Sequence, residues 1–190
     1  DFFNKAPDQF RDAKYSAERE RSVGLGVMGF HSFLQKKRIP LESVMAKSWN
    51  KKIFKQIDEQ VNQASKDLAE ERGACPDAAE YGYKERFSNK TAIAPTASIS
   101  IICGGASPGV EPIAANSYTH KTLSGSFNVR NRYLEEILES HGKNDDETWS
   151  TITTNQGSVS HLDFLTDLEK DVFKTAFELN QKWIIELSGD

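Results

Sequence analysis

Thr96, Ser98 and Ser100 alternate with Ala97 and Ile99 directly after Pro95, and the pair Gly104-Gly105 follows in the same stretch. These residue types at this spacing suit anion binding. A proline fixes φ where an extended run, here Ala92-Ile93-Ala94, gives way. Small and hydroxyl-bearing residues after it favour a helix start whose first N–H groups have no intrahelical partner. Those N–H groups, the positive end of the helix dipole and the hydroxyls of Thr96 and Ser98 would hold a phosphate without a lysine. The same residues also make an ordinary Ser/Thr helix cap with no ligand, which is their commoner use. Both readings stand on the residues alone.

Other candidates carry less. Gly24, Gly26 and Gly29 fit a GxGxxG pattern. However, Glu18-Arg19-Glu20-Arg21 stands where a strand should precede a dinucleotide loop, and no acidic residue follows strand-like sequence about twenty positions on. Glycines that let a helix pack closely on its neighbours are the better expectation. Tyr118-Thr119-His120-Lys121-Thr122 gathers a cation and hydroxyls that would either face an anion or, as is more usual in a loop, satisfy backbone groups. His31 lacks a second ligand at helical spacing and is expected to be a packed or surface histidine. Cys75 and Cys103 stand 28 positions apart without a CxxC, which argues against a zinc knuckle and for a reducing compartment.

The elements that must position these residues are mostly helical. Phe30, Phe33 and Leu34 form one helix face that ends at Lys36-Lys37-Arg38 before Pro40. Ile53, Ile57, Val61, Ala64 and Leu68 recur at three and four and define a long helix capped at Gly73. Residues 73–90 are expected as a loop and Ile113–Gly125 as irregular or extended chain. Asn131 is expected to cap a helix bearing Tyr133, Leu134, Ile137 and Leu138, Asn144–Glu147 to be an acidic surface turn, and one or two amphipathic helices to run to the end.

Composition sets the bounds. With 190 residues, 37% hydrophobic, eleven Phe and three Trp, the chain is long and apolar enough for a core, and a single domain over 1–190 is the default. The net charge of −4 gives no electrostatic footprint for nucleic acid or an anionic membrane. No apolar run approaches the ~20 residues of a membrane helix, and Asp1-Phe2-Phe3-Asn4-Lys5 lacks a signal-peptide pattern.

Three runs together carry a family resemblance: Ile93-Ala94-Pro95-Thr96-Ala97-Ser98-Ile99-Ser100, then Gly109-Val110-Glu111-Pro112, then Ser117 through Gly125. With Glu20 through Phe30 and Gly73-Ala74-Cys75-Pro76 upstream in the same order, the chain resembles the large (α) subunit of class I ribonucleoside-diphosphate reductase over essentially its whole length. The resemblance implies an α/β fold, the later part of a ten-stranded α/β barrel, with this piece mostly helical and carrying a few short strands. It implies the reduction of ribonucleoside diphosphates to 2′-deoxynucleotides for DNA synthesis by thiyl-radical chemistry, in the cytoplasm. In the family the Pro-Thr-Ala-Ser loop binds the substrate diphosphate, which places that role on Thr96, Ala97, Ser98 and Ile99.

The implied partners are the nucleoside diphosphate, the rest of the large subunit, its dimer mate and a radical-generating small subunit, with a thioredoxin- or glutaredoxin-type reductant. The family's catalytic cysteines, their Glu and Asn, and its tyrosine pair match no motif here, and both cysteines of this chain are expected to be structural. An internal fragment, inactive when isolated, is therefore expected. The rivals are an adenosylcobalamin-dependent reductase of the same barrel, a non-enzymatic helical module binding a partner, and a dinucleotide enzyme using Gly24, Gly26 and Gly29.

Overall fold

Helical periodicity governs most of this chain, and the computed structural model, which describes residues 5–122 and 125–189, follows it. A 3-10 turn at Asp8–Phe10 leads into α1 (Arg11–Glu20). Gly29, at φ 85°, opens α2 (Phe30–Lys36). The three-four stripe lies on α3 (Val44–Arg72), and Gly73 at φ 81° takes the left-handed position that ends it. Pro76 starts α4 (Pro76–Glu80) at a first position that needs no N–H, so the expected loop over 73–90 holds a short helix. Then come α5 (Ala97–Ile102) and the antiparallel hairpin of β1 (Ser117–Thr122) and β2 (Gly125–Arg130). The Asn131 side chain accepts from the Tyr133 N–H and caps α6 (Arg132–Ser140), as expected. Asp145 caps α7 (Asp146–Thr154) by accepting from Thr148 N–H at 2.7 Å, and a reciprocal Thr166–Glu169 capping box starts α8 (Asp167–Val172). The last helix is α9 (Gln181–Gly189). Asp1 to Asn4, Leu123, Ser124 and Asp190, on which parts of the sequence reading fell, lie outside the described residues.

The chain divides into two compact units. The first comprises 1–26 and 52–94. In it the Arg19 guanidinium on α1 pairs with Asp77, at 2.5 Å, and with Glu80, both on α4. Ser65 is fully buried on α3, and its hydroxyl accepts from the N–H groups of Arg86 and Phe87 at 3.1 and 3.3 Å. Arg86 returns a guanidinium to the carbonyls of Arg72 and Gly73 at 2.9 and 3.0 Å, satisfying the orphan end of α3.

Gly24 and Gly26 do not sit on a helix, which corrects the expectation for them. Residues 23–25 run extended beside 89–92, with Val23 N–H to Asn89 O and Leu25 N–H to Lys90 O both at 3.0 Å and a parallel bridge between Leu25 and Thr91. A Cβ at Gly24 would stand 2.8 Å from the Cβ of Ala92, and one at Gly26 would stand 3.0 Å from its carbonyl oxygen. Close backbone approach is thus the reason for these glycines, but between two extended segments. The strand expected at Ala92–Ala94 does not form: the bridge lies one residue earlier, at Thr91, and Ala92 adds one N–H to Leu25 O at 3.2 Å.

The second unit comprises 27–51 and 95–190. One apolar cluster joins Leu134 and Leu138 of α6, Trp149 and Ile152 of α7, and Val159, Leu162, Leu165, Val172 and Phe173. Another joins Leu34, Leu41, Ala46, Leu179 and Leu187, with Phe33 edge-on to Trp49 at 5.2 Å. Each such buried side chain contributes on the order of 2 kcal/mol over an exposed one. Asn116 and Asn131 flank the hairpin and fix its base. The Asn116 amide, 1% exposed, donates to Gly157 O at 2.9 Å and Phe173 O at 2.7 Å and accepts from Asn131 Nδ2 at 2.8 Å. Asn131 also donates to Gln35 at 3.0 Å, so α2, the hairpin and α6 share one network.

Candidate functional site

Thr96, Ala97, Ser98 and Ile99 fall where a helix begins: Thr96 is the N-cap of α5, and the other three form its first turn. The first-turn N–H groups have no side-chain cap, and Ile99 is half exposed with Ser98 open to solvent. The hydroxyls divide by role. The Ser100 hydroxyl turns back on Ala97 O at 2.7 Å and is taken up within the helix. The Thr96 oxygen does not cap α5; it accepts from Gly109 N–H at 2.8 Å. A hydroxyl has one proton and two acceptor positions, so this bond leaves the Thr96 proton available to an anion. The Ser98 hydroxyl has no hydrogen-bond partner among the described residues.

Local sequence explains why α5 is so short. Gly104 and Gly105 take left-handed φ values of 82° and 73°, and the N–H groups of Gly105 and Ala106 close back on Ser100 O at 3.0 and 3.1 Å. The Arg132 guanidinium donates to Gly104 O and holds this turn from α6. The chain then crosses the start of α2. Gly29 N–H donates to Ser107 O at 2.7 Å, Ser107 N–H to the Ser32 hydroxyl at 2.8 Å, and Ser32 N–H to the Ser107 hydroxyl at 3.2 Å. Further on, Ile113 N–H donates to His31 Nδ1 at 3.1 Å. That bond needs a neutral imidazole with its proton on Nε2. Burial, at 3% exposure, provides the condition by pushing the His31 pKa down to about 4.

His31 is therefore packed, as expected, but its partner is a backbone N–H 82 positions away. Ser32 and Ser107 were not singled out from the sequence, and Gly109 only as part of a run carrying the resemblance, because nothing in residues 31–32 marks a partner near 107–113. Within the first unit, Gly24 and Gly26 serve the close approach to Ala92; in the second, Gly29 serves the left-handed entry to α2. Tyr118 to Thr122 lie in β1, where the Thr119 hydroxyl donates across the hairpin to the side-chain carbonyl of Asn128 at 3.2 Å. Cys75 is buried, as a structural cysteine should be, whereas Cys103 is exposed, so packing gives no reason for it. Among the described residues no group of three or more His, Cys, Asp or Glu is placed to hold a metal, and no helix is long and apolar enough to cross a membrane.

Comparison with known proteins agrees with this arrangement. The family model for the ribonucleotide reductase barrel domain matches residues 4–86 and 77–190. The chain is 47% identical over 193 residues to the ribonucleoside-diphosphate reductase large subunit of Invertebrate iridescent virus 6, covering 100% of this chain and 20% of that protein. It is 44% identical over 192 residues to the large subunit of Invertebrate iridescent virus 3, covering 100% of this chain and 30% of that one. Among solved structures, the alpha subunit of the Actinobacillus ureae class Id ribonucleotide reductase superposes with a TM-score of 0.87 at 38% identity, over 97% of this chain and 33% of that chain. The chain thus spans a third or less of the length of each of these relatives. Its architecture, mostly helical with one two-stranded hairpin among the described residues, is that of a portion of such a barrel domain. The chain belongs to the ribonucleotide reductase family, as part of its barrel domain.

Proposed function

We propose that residues 1–190 are the later part of the ten-stranded α/β catalytic barrel of a ribonucleoside-diphosphate reductase large subunit, and that α5 holds the substrate's diphosphate there. The assembled enzyme reduces ribonucleoside diphosphates to 2′-deoxyribonucleoside diphosphates by thiyl-radical chemistry. Its radical comes from a small subunit, its electrons from a thioredoxin- or glutaredoxin-type protein, and its large subunit pairs with a second copy. This chain's share is binding and orientation. The N–H groups of Ala97, Ser98 and Ile99 and the hydroxyls of Thr96 and Ser98 hold the phosphate oxygens and so set where the ribose lies.

The observation that carries this reading is the state of Thr96: its oxygen is engaged by Gly109 N–H, its proton is left over, and it stands beside a helix turn whose N–H groups are uncapped. Ser98→Asp tests it, since an aspartate in a first turn favours the helix while opposing a second anion at the same N–H groups. In the intact large subunit with its radical-generating partner, KM for CDP or ADP should rise at least about tenfold. An unchanged KM would remove the phosphate from this turn.

A further inference from the structure

The Thr96–Gly109 bond depends on how the chain between residues 107 and 113 is held. Pro108 and Pro112 have no N–H, so this strap has five backbone donors, from Ser107, Gly109, Val110, Glu111 and Ile113. Three of the five are bound to side chains. Ser107 and Ile113, near the strap's two ends, are held from α2 by Ser32 and His31, and Gly109 between them takes Thr96. The α2 partners are buried, His31 at 3% and Ser32 at 7% exposure, and Ser107 is fully buried. The Ser32–Ser107 pair is reciprocal, each backbone N–H entering the other's hydroxyl, so neither residue can turn away without orphaning two buried groups.

We infer that His31, Ser32 and Ser107 are positioning residues for the diphosphate loop, holding the strap so that Gly109 takes the Thr96 oxygen and leaves the Thr96 proton for the ligand. They touch no substrate. They act through Gly109 and Thr96, and the inference rests on the diphosphate reading of α5. Two features set the design apart from ordinary packing. The His31 position requires an acceptor where Nδ1 stands, which an asparagine Oδ1 supplies and a leucine does not. The second is that all three residues should lose their influence on the ligand once Thr96 has no hydroxyl.

The test is steady-state kinetics with CDP or ADP on the intact large subunit and its radical-generating partner. Ser32→Ala and His31→Leu should raise KM about tenfold with kcat within about twofold, and His31→Asn should restore KM. Ser107→Ala, which removes only the 3.2 Å bond, is the milder variant should Ser32→Ala not fold. Combining Ser32→Ala, or Ser107→Ala in its place, with Thr96→Val should leave KM where Thr96→Val alone puts it, because both changes disable one device. A KM that is unchanged in the strap variants, or that multiplies in the double variant, overturns the positioning role while the diphosphate reading stands. If Thr96→Val itself leaves KM unchanged, the diphosphate reading falls and the positioning role falls with it.

Discussion

Replacing Asn116 by leucine puts a larger, wholly apolar side chain at a buried position and removes all of its side-chain hydrogen bonding. Three bonds go: to Gly157 O at 2.9 Å, to Phe173 O at 2.7 Å and from Asn131 Nδ2 at 2.8 Å. Their consequences differ. Gly157 O keeps a partner in the Asn116 N–H at 3.1 Å, and Asn131 keeps its bond to Gln35, losing the partner of one proton. Phe173 O loses the amide that reached it, and one proton of Asn131 is stranded at a site where Asn116 is 1% exposed. Two groups left unpaired, one buried and one part-buried, cost about 1 to 3 kcal/mol each, so the variant should be destabilised by about 2 to 6 kcal/mol. Asn116→Asp, of the same shape, turns a donor into an acceptor against two carbonyls and should do at least as much at neutral pH. Amide hydrogen exchange in the large subunit reads this locally. The amides of Asn116, Asn131 and the start of α6 should lose protection by about thirtyfold or more, each 1.4 kcal/mol being tenfold. Protection within about twofold of wild type would refute the claim that this network holds the hairpin base.

Two further predictions concern stability. His31 is neutral when folded with a pKa near 4 against 6.5 when free, so the unfolded chain takes up the proton first as pH falls. Its contribution is complete above pH 6.5 and is lost progressively between 6.5 and 4, reaching about 3 kcal/mol. Denaturation midpoints of wild type and His31→Asn should therefore converge from pH 7.5 down to pH 4.5, and a constant gap would contradict it. A Cβ on Gly157 would lie 2.3 Å from Ala115 Cβ and 2.9 Å from Asn116 N, at φ 81°, so Gly157→Ala should lower stability by about 2 to 5 kcal/mol. Gly142, at φ 66° with nothing within 4 Å, isolates the backbone part, and Gly142→Ala should cost about 1 kcal/mol. Equal melting temperatures for the two variants would show that the contact with Ala115 carries no cost.

How much of this was legible depended on whether the signal was local. The stripe on α3, its stop at Gly73 and the Asn131 cap each lie within one or two helical turns and were readable as such. The segment read as an acidic turn at Asn144–Glu147 is instead the start of α7, where Asp145 is the cap and Trp149 and Ile152 supply buried contacts. Four of its nine residues are threonine, a weak helix former, and tertiary packing decides the outcome. Neither β2 nor the extended pairing of 23–25 with 89–92 had a local signature, since a strand is specified by a partner elsewhere in the chain. The same division runs through the candidate site. The residue types of the 96–99 turn were readable as a helix start, but the Gly109 bond that releases the Thr96 proton, and the hold of His31 and Ser32 on 107–113, span 13 to 82 positions.

The most direct test of the diphosphate site is equilibrium binding of CDP or ADP to the intact large subunit, comparing wild type with Thr96→Val and Ser98→Ala combined. Each hydrogen bond to a charged phosphate oxygen is worth about 1.5 to 3 kcal/mol. Removing both hydroxyls should weaken binding at least about tenfold while leaving the uncapped N–H groups of α5 in place. A dissociation constant equal to that of wild type would contradict the account and leave the 96–99 turn as a helix start with no ligand of its own.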